Sequence, residues 1–362
     1  MRVYFYCRPF ESPESAGYQH TAIGLAEGLR QLGHEVYANV DYWAETTDRD
    51  DYLFRHDSDV GPRDCDVEVA NSILFQYDEP APEGLRTGTG NQKVLLDQSD
   101  GIFSVARHDS TPEFDVVLRT HMSNYWKYPS HYEPWAFGLT SRLMEYTSDW
   151  STAEKDDKVL VNFRTDHTVR KISERDIIDP ISEYLELDTR TDDFDPTAES
   201  AYDRYLWEVT GRRHYPSYYE RLKGAIATAA FGGWFLPSPL LSNHPTLARF
   251  GRRAEVVLEP VRRALGCHTY RVFQWDSFRL WEAWAAGSVP FHLDFDEYGM
   301  ELPVTPSNHD HYVGFDLNRP DRSIERLTEN RGQLDDIAEA GSTWVRDHYS
   351  PQAQAERFLN VV

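Results

Sequence analysis

The segment from Tyr270 to Pro290 concentrates side chains that could bind phosphate and sugar hydroxyls around one short predicted helix. Glu282 lies near the predicted start of that helix, where unpaired backbone N–H groups and the helix dipole favour such ligands. A guanidinium pairs with phosphate oxygens, and a carboxylate accepts hydrogen bonds from hydroxyl groups. The alternative is a purely structural helix that packs through its tryptophans and ends at Gly287. The polar residues that precede Glu282 are Gln274, Asp276, Ser277 and Arg279.

Length and composition predict a cytoplasmic protein of two domains. The 362 residues exceed the usual limit of a single hydrophobic core. No apolar run approaches the roughly 20 residues of a membrane span, and the first residues favour a strand over a signal peptide. The three cysteines are far apart and form no CxxC motif, so neither a disulfide framework nor a zinc site is expected.

The charge of the chain disfavours nucleic acid as a partner. The formal net charge is −23, and 31 of the 37 basic residues are arginines. Such a surface repels nucleic acid and anionic lipid unless a basic patch is segregated, and the sequence contains no lysine- or arginine-rich run. A lysine-poor acidic surface would also suit a salt-rich cytoplasm, where screening to about 3 Å at about 1 M salt removes self-repulsion. An arginine preference can equally reflect genome composition, so a halophilic source is a hypothesis.

Alternating strand and helix patterns predict an α/β protein with domains at 1–150 and 151–345 and a final helix at 346–362. The first half opens with a strand, a helix at 21–32 and a second strand, and the second half opens with a strand at 158–163. A helix is predicted from Tyr218 to Ala230 and another from Thr246 to Leu265. Further buried parallel strands are predicted at Ser72–Phe75, Lys93–Asp97, Gly101–Val105 and Phe114–Arg119.

Three stretches resemble the two-domain (GT-B) glycosyltransferases. Residues 282–290, EAWAAGSVP, resemble the second half of their pattern E-x7-E-A-x-A-x-G-x-P, and Gln274 stands where the first glutamate would be. Residues 17–36 resemble the opening βαβ unit, and residues 344–351 resemble the closing W-x-x-x-x-Y/F-S pattern. The run SFRLWE is also close to the S-x-R-x-x-E arrangement of exostosin-like transferases. The resemblance implies two Rossmann-like domains that face each other across a cleft, with the last helix crossing back onto the N-terminal domain.

The resemblance implies transfer of a sugar from a nucleotide-sugar donor, such as a UDP- or GDP-sugar, without a further cofactor. Glu282 would bind the ribose, Ser277 and Arg279 would contact phosphate, and Gln274 and Asp276 would contact the donor sugar. A phosphate-binding cation is also expected in the loop after the first strand of the second half. The sequence does not distinguish three candidates for this cation, which are Arg164, Arg170 and Lys171. Because Gln274 replaces the usual glutamate, retaining and inverting chemistry both stay open.

The N-terminal half supplies the candidates for the acceptor side and for the catalytic base. His20 and His121 occupy positions that GT-B relatives use, and a histidine base has a pKa near neutral. Asp100 is an alternative base. The expected acceptor is a glycan, a lipid-linked molecule or a protein in cell-surface glycan, glycolipid or glycoprotein synthesis, with peripheral membrane contact as a further option. The residues expected on the acceptor side are Gly17, Trp126 and Tyr128, although the two aromatic side chains could equally pack against the other domain.

Other interpretations use the same residues differently. Asp294-Phe295-Asp296 mimics the D-x-D metal clamp of single-domain glycosyltransferases, but such a triplet arises readily in an acidic chain, so no metal is expected. A catalytically inactive relative that binds a carbohydrate or a nucleotide sugar is favoured by Gln274. A transferase that acts on a nucleic-acid base is disfavoured by the net charge.

Overall fold

A computed structural model of the chain describes residues 1–8, 20–45, 51–75, 82–86, 90–100, 106, 113–163, 167–189, 204, 216–236 and 271–362. Four sequence predictions lie outside these residues: the strand at 101–105, the helix at 246–265, and the roles of Gly17 and Arg164. Strands and helices are numbered below in chain order. No helix of the described ranges is long and apolar enough to cross a membrane.

The first half of the chain forms a six-stranded parallel sheet. The strand order is β2-β1-β5-β6-β7-β8, while β3 and β4 pair as a separate antiparallel hairpin. The strands of the main sheet are mostly apolar and buried, as expected where helices cover both faces. The elements are β1 (Arg2–Tyr6), α1 (His20–Gln31), β2 (Glu35–Ala38), β3 (Tyr42–Ala44), β4 (Tyr52–Phe54), β5 (Val67–Asn71), α2 (Glu83–Arg86), β6 (Gln92–Asp97), β7 (Val116–Arg119), β8 (Tyr132–Pro134) and α3 (Ser141–Tyr146), with 3-10 turns at Pro62–Asp64 and Ser72–Phe75.

The second half forms a five-stranded parallel sheet. Its order is β10-β9-β11-β14-β15, and β12 pairs with β13 as an antiparallel ribbon. The elements are β9 (Asp156–Leu160), α4 (Thr168–Ser173), a π-helical turn (Glu174–Ile178), α5 (Asp179–Ile181), β10 (Glu186–Asp188), α6 (Pro216–Lys223), β11 (Ala225–Ala229), β12 (Trp234–Leu236), β13 (Arg271–Phe273), α7 (Phe278–Ala285), β14 (Val289–Leu293), β15 (Val313–Phe315), α8 (Pro320–Glu329), a 3-10 turn (Arg331–Gln333), α9 (Leu334–Tyr349) and α10 (Pro351–Leu359).

Two predicted elements are wrong. Ser72–Phe75 is a 3-10 turn, and the strand is the preceding segment β5. The sequence of β5 does not read as a buried apolar strand because it contains the charged residue Glu68, which is nevertheless buried. The predicted helix at 218–230 ends at Lys223, and its alanine-rich second part is the central strand β11. Alanine favours helices locally, but pairing between β9 and β14 overrides that preference.

Both sheets reverse their strand order at one point. The chain adds β2 on one side of β1 and then β5 on the other side. It repeats this in the second sheet, with β10 on one side of β9 and β11 on the other. Open α/β sheets bind ligands outside the carboxyl ends of the strands at such reversal points. The ends of β1, β5, β9 and β11 are therefore the places at which a ligand is expected.

The C-terminal helix α10 packs against α1 of the first half. Ala355 and Phe358 are buried in the same apolar cluster as the strands of the first sheet. The side-chain amide of Gln354 donates to the carbonyl oxygens of Leu139 and Tyr349, both at 3.0 Å. The two helices approach so closely that a Cβ atom on Gly28 would overlap the carbonyl oxygen of Pro351. The last helix thus fastens the second half of the chain to the first.

We predict that Gly28→Ala lowers the free energy of unfolding by about 1–3 kcal/mol, because the added methyl group must push α10 away from α1. Gly332→Ala is the matched control, since a Cβ atom there would meet no atom within 4 Å. Chemical denaturation of both variants measures the effect. Equal stabilities of the two variants would contradict the close helix contact.

Candidate functional site

Buried polar side chains fix the carboxyl ends of β5 and β6 against the start of α1. The hydroxyl of Thr21 donates to Oε1 of Gln98 at 3.2 Å, and Nδ2 of Asn71 donates to the Thr21 hydroxyl at 3.2 Å. The backbone N–H of Gln98 donates to the hydroxyl of Ser72 at 3.2 Å. This network holds the first turn of α1, and with it His20, at the reversal point of the first sheet.

A buried ion pair fixes the ends of β6 and β7. The guanidinium of Arg119 lies 2.7 Å from the carboxylate of Asp97, and their side chains are 1% and 0% exposed. The hydroxyl of Ser99 also donates to Asp97, at 2.5 Å. Removing one partner of such a pair typically costs about 3–5 kcal/mol, because the other charge is left buried. The pair therefore sets the position of the loop that begins two residues later at His121.

His121 is held as a neutral ring at the cleft between the two halves. It has a left-handed backbone (φ 59°) and is 3% exposed. Its Nδ1 accepts the backbone N–H of Asp276 at 3.0 Å, so the proton of the neutral ring is assigned to Nε2. Burial, and then the charge of Arg119, hold the pKa of His121 well below its usual value. Nε2 has no hydrogen-bond partner among the described residues, so it is a buried donor.

Asp276 joins the two halves of the chain. One carboxylate oxygen accepts the backbone N–H of Phe137 at 3.1 Å, and the other accepts the indole N–H of Trp281 at 2.6 Å. Burial raises the pKa of Asp276 to about 7. Both oxygens are thus bonded to protein donors, and the predicted contact of Asp276 with a donor sugar stays a prediction.

The start of α7 presents polar atoms that the protein does not use. Ser277 is the N-cap residue, but its hydroxyl makes no hydrogen bond to the helix. The Ser277 hydroxyl and Nε of Arg279 are buried and have no hydrogen-bond partner among the described residues. Gly232, in the loop after β11, lies against this corner, since a Cβ atom there would be 3.7 Å from the Cβ of Ser277. Unpaired hydroxyl and guanidinium donors beside a helix start are the kinds of group that bind an anion.

Of the three candidate cations after β9, Arg170 lies at the reversal point of the second sheet. Its Nε donates to the carbonyl oxygen of Phe231, two residues beyond β11, at 3.0 Å. Lys171 is exposed on the same short helix. The structure thus brings Arg170 to the carboxyl end of β11. Its partner Phe231 directly precedes Gly232 in the sequence.

Glu282 lies one turn inside α7 rather than at its start, which corrects the sequence prediction. Its side chain is buried, and one carboxylate oxygen accepts the hydroxyl of Tyr218 at 2.6 Å. It lines a cavity of about 20 Å³, room for about one water, between the two halves. The lining residues are His20, Trp43, Gly138, Thr140, Arg142, Leu143, Tyr219, Phe278, Trp281 and Glu282.

His20 therefore shares this cavity with Glu282, whereas His121 does not line it. The imidazole of His20 packs on the ring of Phe278 with centroids 4.9 Å apart, and on Trp43 at 6.2 Å. The structure thus brings together one residue from the start of α1 and one from α7. These are the two helices that the sequence patterns singled out.

Sequence analysis missed several residues of this cavity. Trp43 has a left-handed backbone (φ 63°), and the guanidinium of Arg142 lies 5.2 Å from the centroid of the Tyr146 ring. Tyr219 comes from α6. No local pattern marks these positions, because each reaches the cavity only through the packing of distant elements.

The predicted acceptor-side residues Trp126 and Tyr128 follow a second contact between the halves, which Tyr125 makes. The hydroxyl of Tyr125 donates to the carbonyl oxygen of Glu297 at 2.9 Å, and Trp126 beside it is half-buried. The Tyr128 ring stacks on Tyr132 with centroids 5.8 Å apart. Asp100, the alternative base, is exposed.

Asp294 of the D-x-D triplet shapes a turn. One carboxylate oxygen accepts the backbone N–H groups of Asp296 and Glu297 at 3.0 and 3.1 Å. The other oxygen accepts the side-chain amide of Asn308 at 2.6 Å. This carboxylate therefore has donors from the protein at both oxygens.

Neither a family model nor a curated protein sequence matches the chain. Among solved structures, it is similar to an alpha-glucosyltransferase (AGT) in complex with UDP, at 11% identity and a TM-score of 0.51, over 100% of this chain and 99% of that one. It is also similar to Anabaena HepE in complex with UDP and glucose (10% identity, TM-score 0.49, 99% and 98%). A third is AviGT4, a glycosyltransferase involved in avilamycin A biosynthesis (13% identity, TM-score 0.48, 99% and 96%). The full-length similarity to the first and the two Rossmann-like sheets show the GT-B fold, which confirms the predicted fold class.

We predict that Asp276 makes the stability of the protein depend on pH. Its folded pKa of about 7 lies above the unfolded value, so its contribution is largest at low pH and declines as pH rises through about 4 to 7. Asp276→Asn removes this titration. The stability advantage of the wild type over the variant should therefore shrink by up to a few kcal/mol between about pH 5 and about pH 8. Denaturant titrations across this range measure it, and a constant difference would contradict the raised pKa.

Proposed function

We propose that the protein is a glycosyltransferase that moves a sugar from a nucleotide-sugar donor to an acceptor hydroxyl. The observation that carries the proposal is the corner at the start of α7, where the hydroxyl of Ser277 and Nε of Arg279 are buried without partners. The GT-B fold supports it, because the similar alpha-glucosyltransferase was solved with UDP. A UDP-sugar is accordingly the first donor to test, and a GDP-sugar is the second.

The diphosphate of the donor would bind at that corner. The N–H groups at the start of α7 and the guanidinium of Arg279 would neutralise the leaving group as its charge develops. Arg170, at the end of β11, is the favoured further cation, and Arg164 and Lys171 are the alternatives. Glu282 would accept hydrogen bonds from the ribose hydroxyls.

The transferred sugar would lie between the two halves, near the loop from Gln274 to Asp276. His121 would donate a hydrogen bond from Nε2 to a sugar hydroxyl, because its Nδ1 is already engaged and its low pKa keeps the ring neutral. His20, at the start of α1 in the N-terminal half, would then be the base that deprotonates the acceptor. Asp100 is the alternative base.

The acceptor would enter from the N-terminal half, where Gly17, Trp126 and Tyr128 are the proposed contacts. A glycan, a lipid-linked molecule or a protein fits the proposal, with hexosyl transfer in cytoplasmic steps of cell-surface glycan, glycolipid or glycoprotein synthesis. Peripheral membrane contact would follow if the acceptor is lipid-linked. The net charge of −23 opposes a nucleic-acid acceptor.

A second candidate function is sugar binding without turnover. Gln274 favours it, because this residue stands where the resembled pattern has a glutamate. Incubation with UDP-glucose or GDP-mannose, without acceptor, separates the two functions. Release of free sugar supports the transferase, whereas tight binding with no release even with glycan acceptors supports the binding protein.

We predict that Arg279→Ala and Glu282→Ala each reduce nucleotide binding severely while the protein stays folded, because each removes a charged ligand group that is at least partly buried, at a cost of about 2–5 kcal/mol in binding. Arg322→Ala and Glu325→Ala are the controls, with the same spacing on the exposed face of α8. Thermal-shift titration with UDP and GDP compares the four variants. Undiminished affinity in both α7 variants would place the donor elsewhere.

We also predict that a chelator leaves turnover largely intact. The oxygens of Asp294 are bonded to backbone N–H groups and to Asn308, and the diphosphate would be neutralised by arginines and the start of α7. Donor consumption with and without EDTA tests this. Complete loss that manganese or magnesium restores would instead favour a metal clamp at Asp294 and Asp296.

A further inference from the structure

Tyr218 is not among the proposed donor-binding residues, but it forms a hydrogen bond with one of them, Glu282. Helix α6 brings its hydroxyl 2.6 Å from Oε2 of Glu282, and the two residues are 6% and 4% exposed. Burial, and after it the charge of Glu282, raise the pKa of Tyr218 well above its usual value. The hydroxyl therefore keeps its proton and donates to the carboxylate.

The same helix α7 carries an oppositely charged group at pairing distance in sequence. Arg279 lies three residues before Glu282, a spacing at which a cation and an anion on one helix normally attract each other. Within the described part of the chain, no ion pair joins the two side chains, and Nε of Arg279 has no hydrogen-bond partner. A direct ion pair would occupy both groups and withdraw them from a ligand.

We infer that Tyr218 is a positioning residue. Its hydroxyl holds the Glu282 carboxylate away from Arg279, so that the carboxylate and the guanidinium can contact different parts of one donor. The carboxylate then binds the ribose and the guanidinium binds the diphosphate. This inference rests on the proposed function, and it adds a residue from α6 that does not itself touch the ligand.

The first half of the chain contains a matched pair that serves as a control. The hydroxyl of Tyr6 donates to Glu68 at 2.6 Å, and these residues are 3% and 0% exposed. This pair joins β1 to β5 within the first sheet, and neither residue lines the cavity around Glu282. A purely structural tyrosine–glutamate bond should behave like this one.

The test measures UDP and GDP binding to the full chain by calorimetry, for the wild type, Tyr218→Phe and Tyr6→Phe. Without the hydroxyl, Glu282 loses the hydrogen bond that orients one of its carboxylate oxygens, and we expect the affinity for the preferred nucleotide to fall about tenfold, as for loss of one hydrogen bond to a charged group. Tyr6→Phe should stay within about twofold of the wild type. The donor KM should rise more than kcat falls, because the lost contact is to the bound ribose.

A third variant guards against misfolding of the first. Tyr218→Leu also lacks the hydroxyl, so it should bind the nucleotide no more tightly than Tyr218→Phe. It carries the test if Tyr218→Phe proves unfolded by circular dichroism. Wild-type affinity in the leucine variant would overturn the inference.

The remaining outcomes distinguish this inference from the function on which it rests. If the wild type binds neither UDP nor GDP, the proposed function fails first. If the wild type binds but Tyr218→Phe binds equally well, the positioning role alone is overturned. Equal losses in Tyr218→Phe and Tyr6→Phe would assign the effect to general destabilisation and would also overturn it.

Discussion

The buried carboxylate of Asp276 is the contact on which the geometry of the cleft depends. It accepts hydrogen bonds from Phe137 and from Trp281 of α7, while its own N–H donates to His121. Removing this carboxylate would leave two donors unsatisfied in a region of low dielectric constant, where each typically costs about 1–3 kcal/mol. The indole N–H of Trp275 adds a bond to the carbonyl oxygen of Met122 at 3.0 Å. Consequently the loop after β7 and the start of α7 cannot separate without breaking several buried hydrogen bonds together.

Because these hydrogen bonds fix the two segments, the buried polar atoms on them that lack a partner indicate a place for a ligand. A folded protein normally pairs its buried polar atoms, so atoms left without partners mark either strain or a place for a ligand. The Ser277 hydroxyl, Nε of Arg279 and Nε2 of His121 are three such atoms among the described residues. They lie on the two segments that Asp276 holds together. Gln274 and His121 on the same segments also have left-handed backbones, which non-glycine residues adopt only where the surrounding structure imposes them.

The sequence predicted those parts of the fold that rest on local patterns. The strand–helix–strand unit at the N-terminus, the helix of Glu282 and the final helices follow from periodicity and turn residues, and the structure contains them. The strand β11 was predicted as helix because its alanine-rich sequence has no strand signal of its own, and only its neighbours make it a strand. Tyr218 could not be predicted for a related reason. Its role depends on a contact with a residue 64 positions away, which only the packing of α6 against α7 establishes.

Charge distribution explains how so acidic a chain could bind a diphosphate. A net charge of −23 repels anions at long range, so affinity has to come from cations that low-dielectric walls separate from the acidic surface. Arg119 cannot supply it, because Asp97 neutralises that guanidinium in the core. Arg279 differs, since within the described chain no carboxylate lies within ion-pair distance of it, and the nearby Glu282 is bonded to Tyr218. If Arg279 stays unpaired with Glu282 on the same helix, its charge would create a local positive potential, although the net charge of the protein is negative.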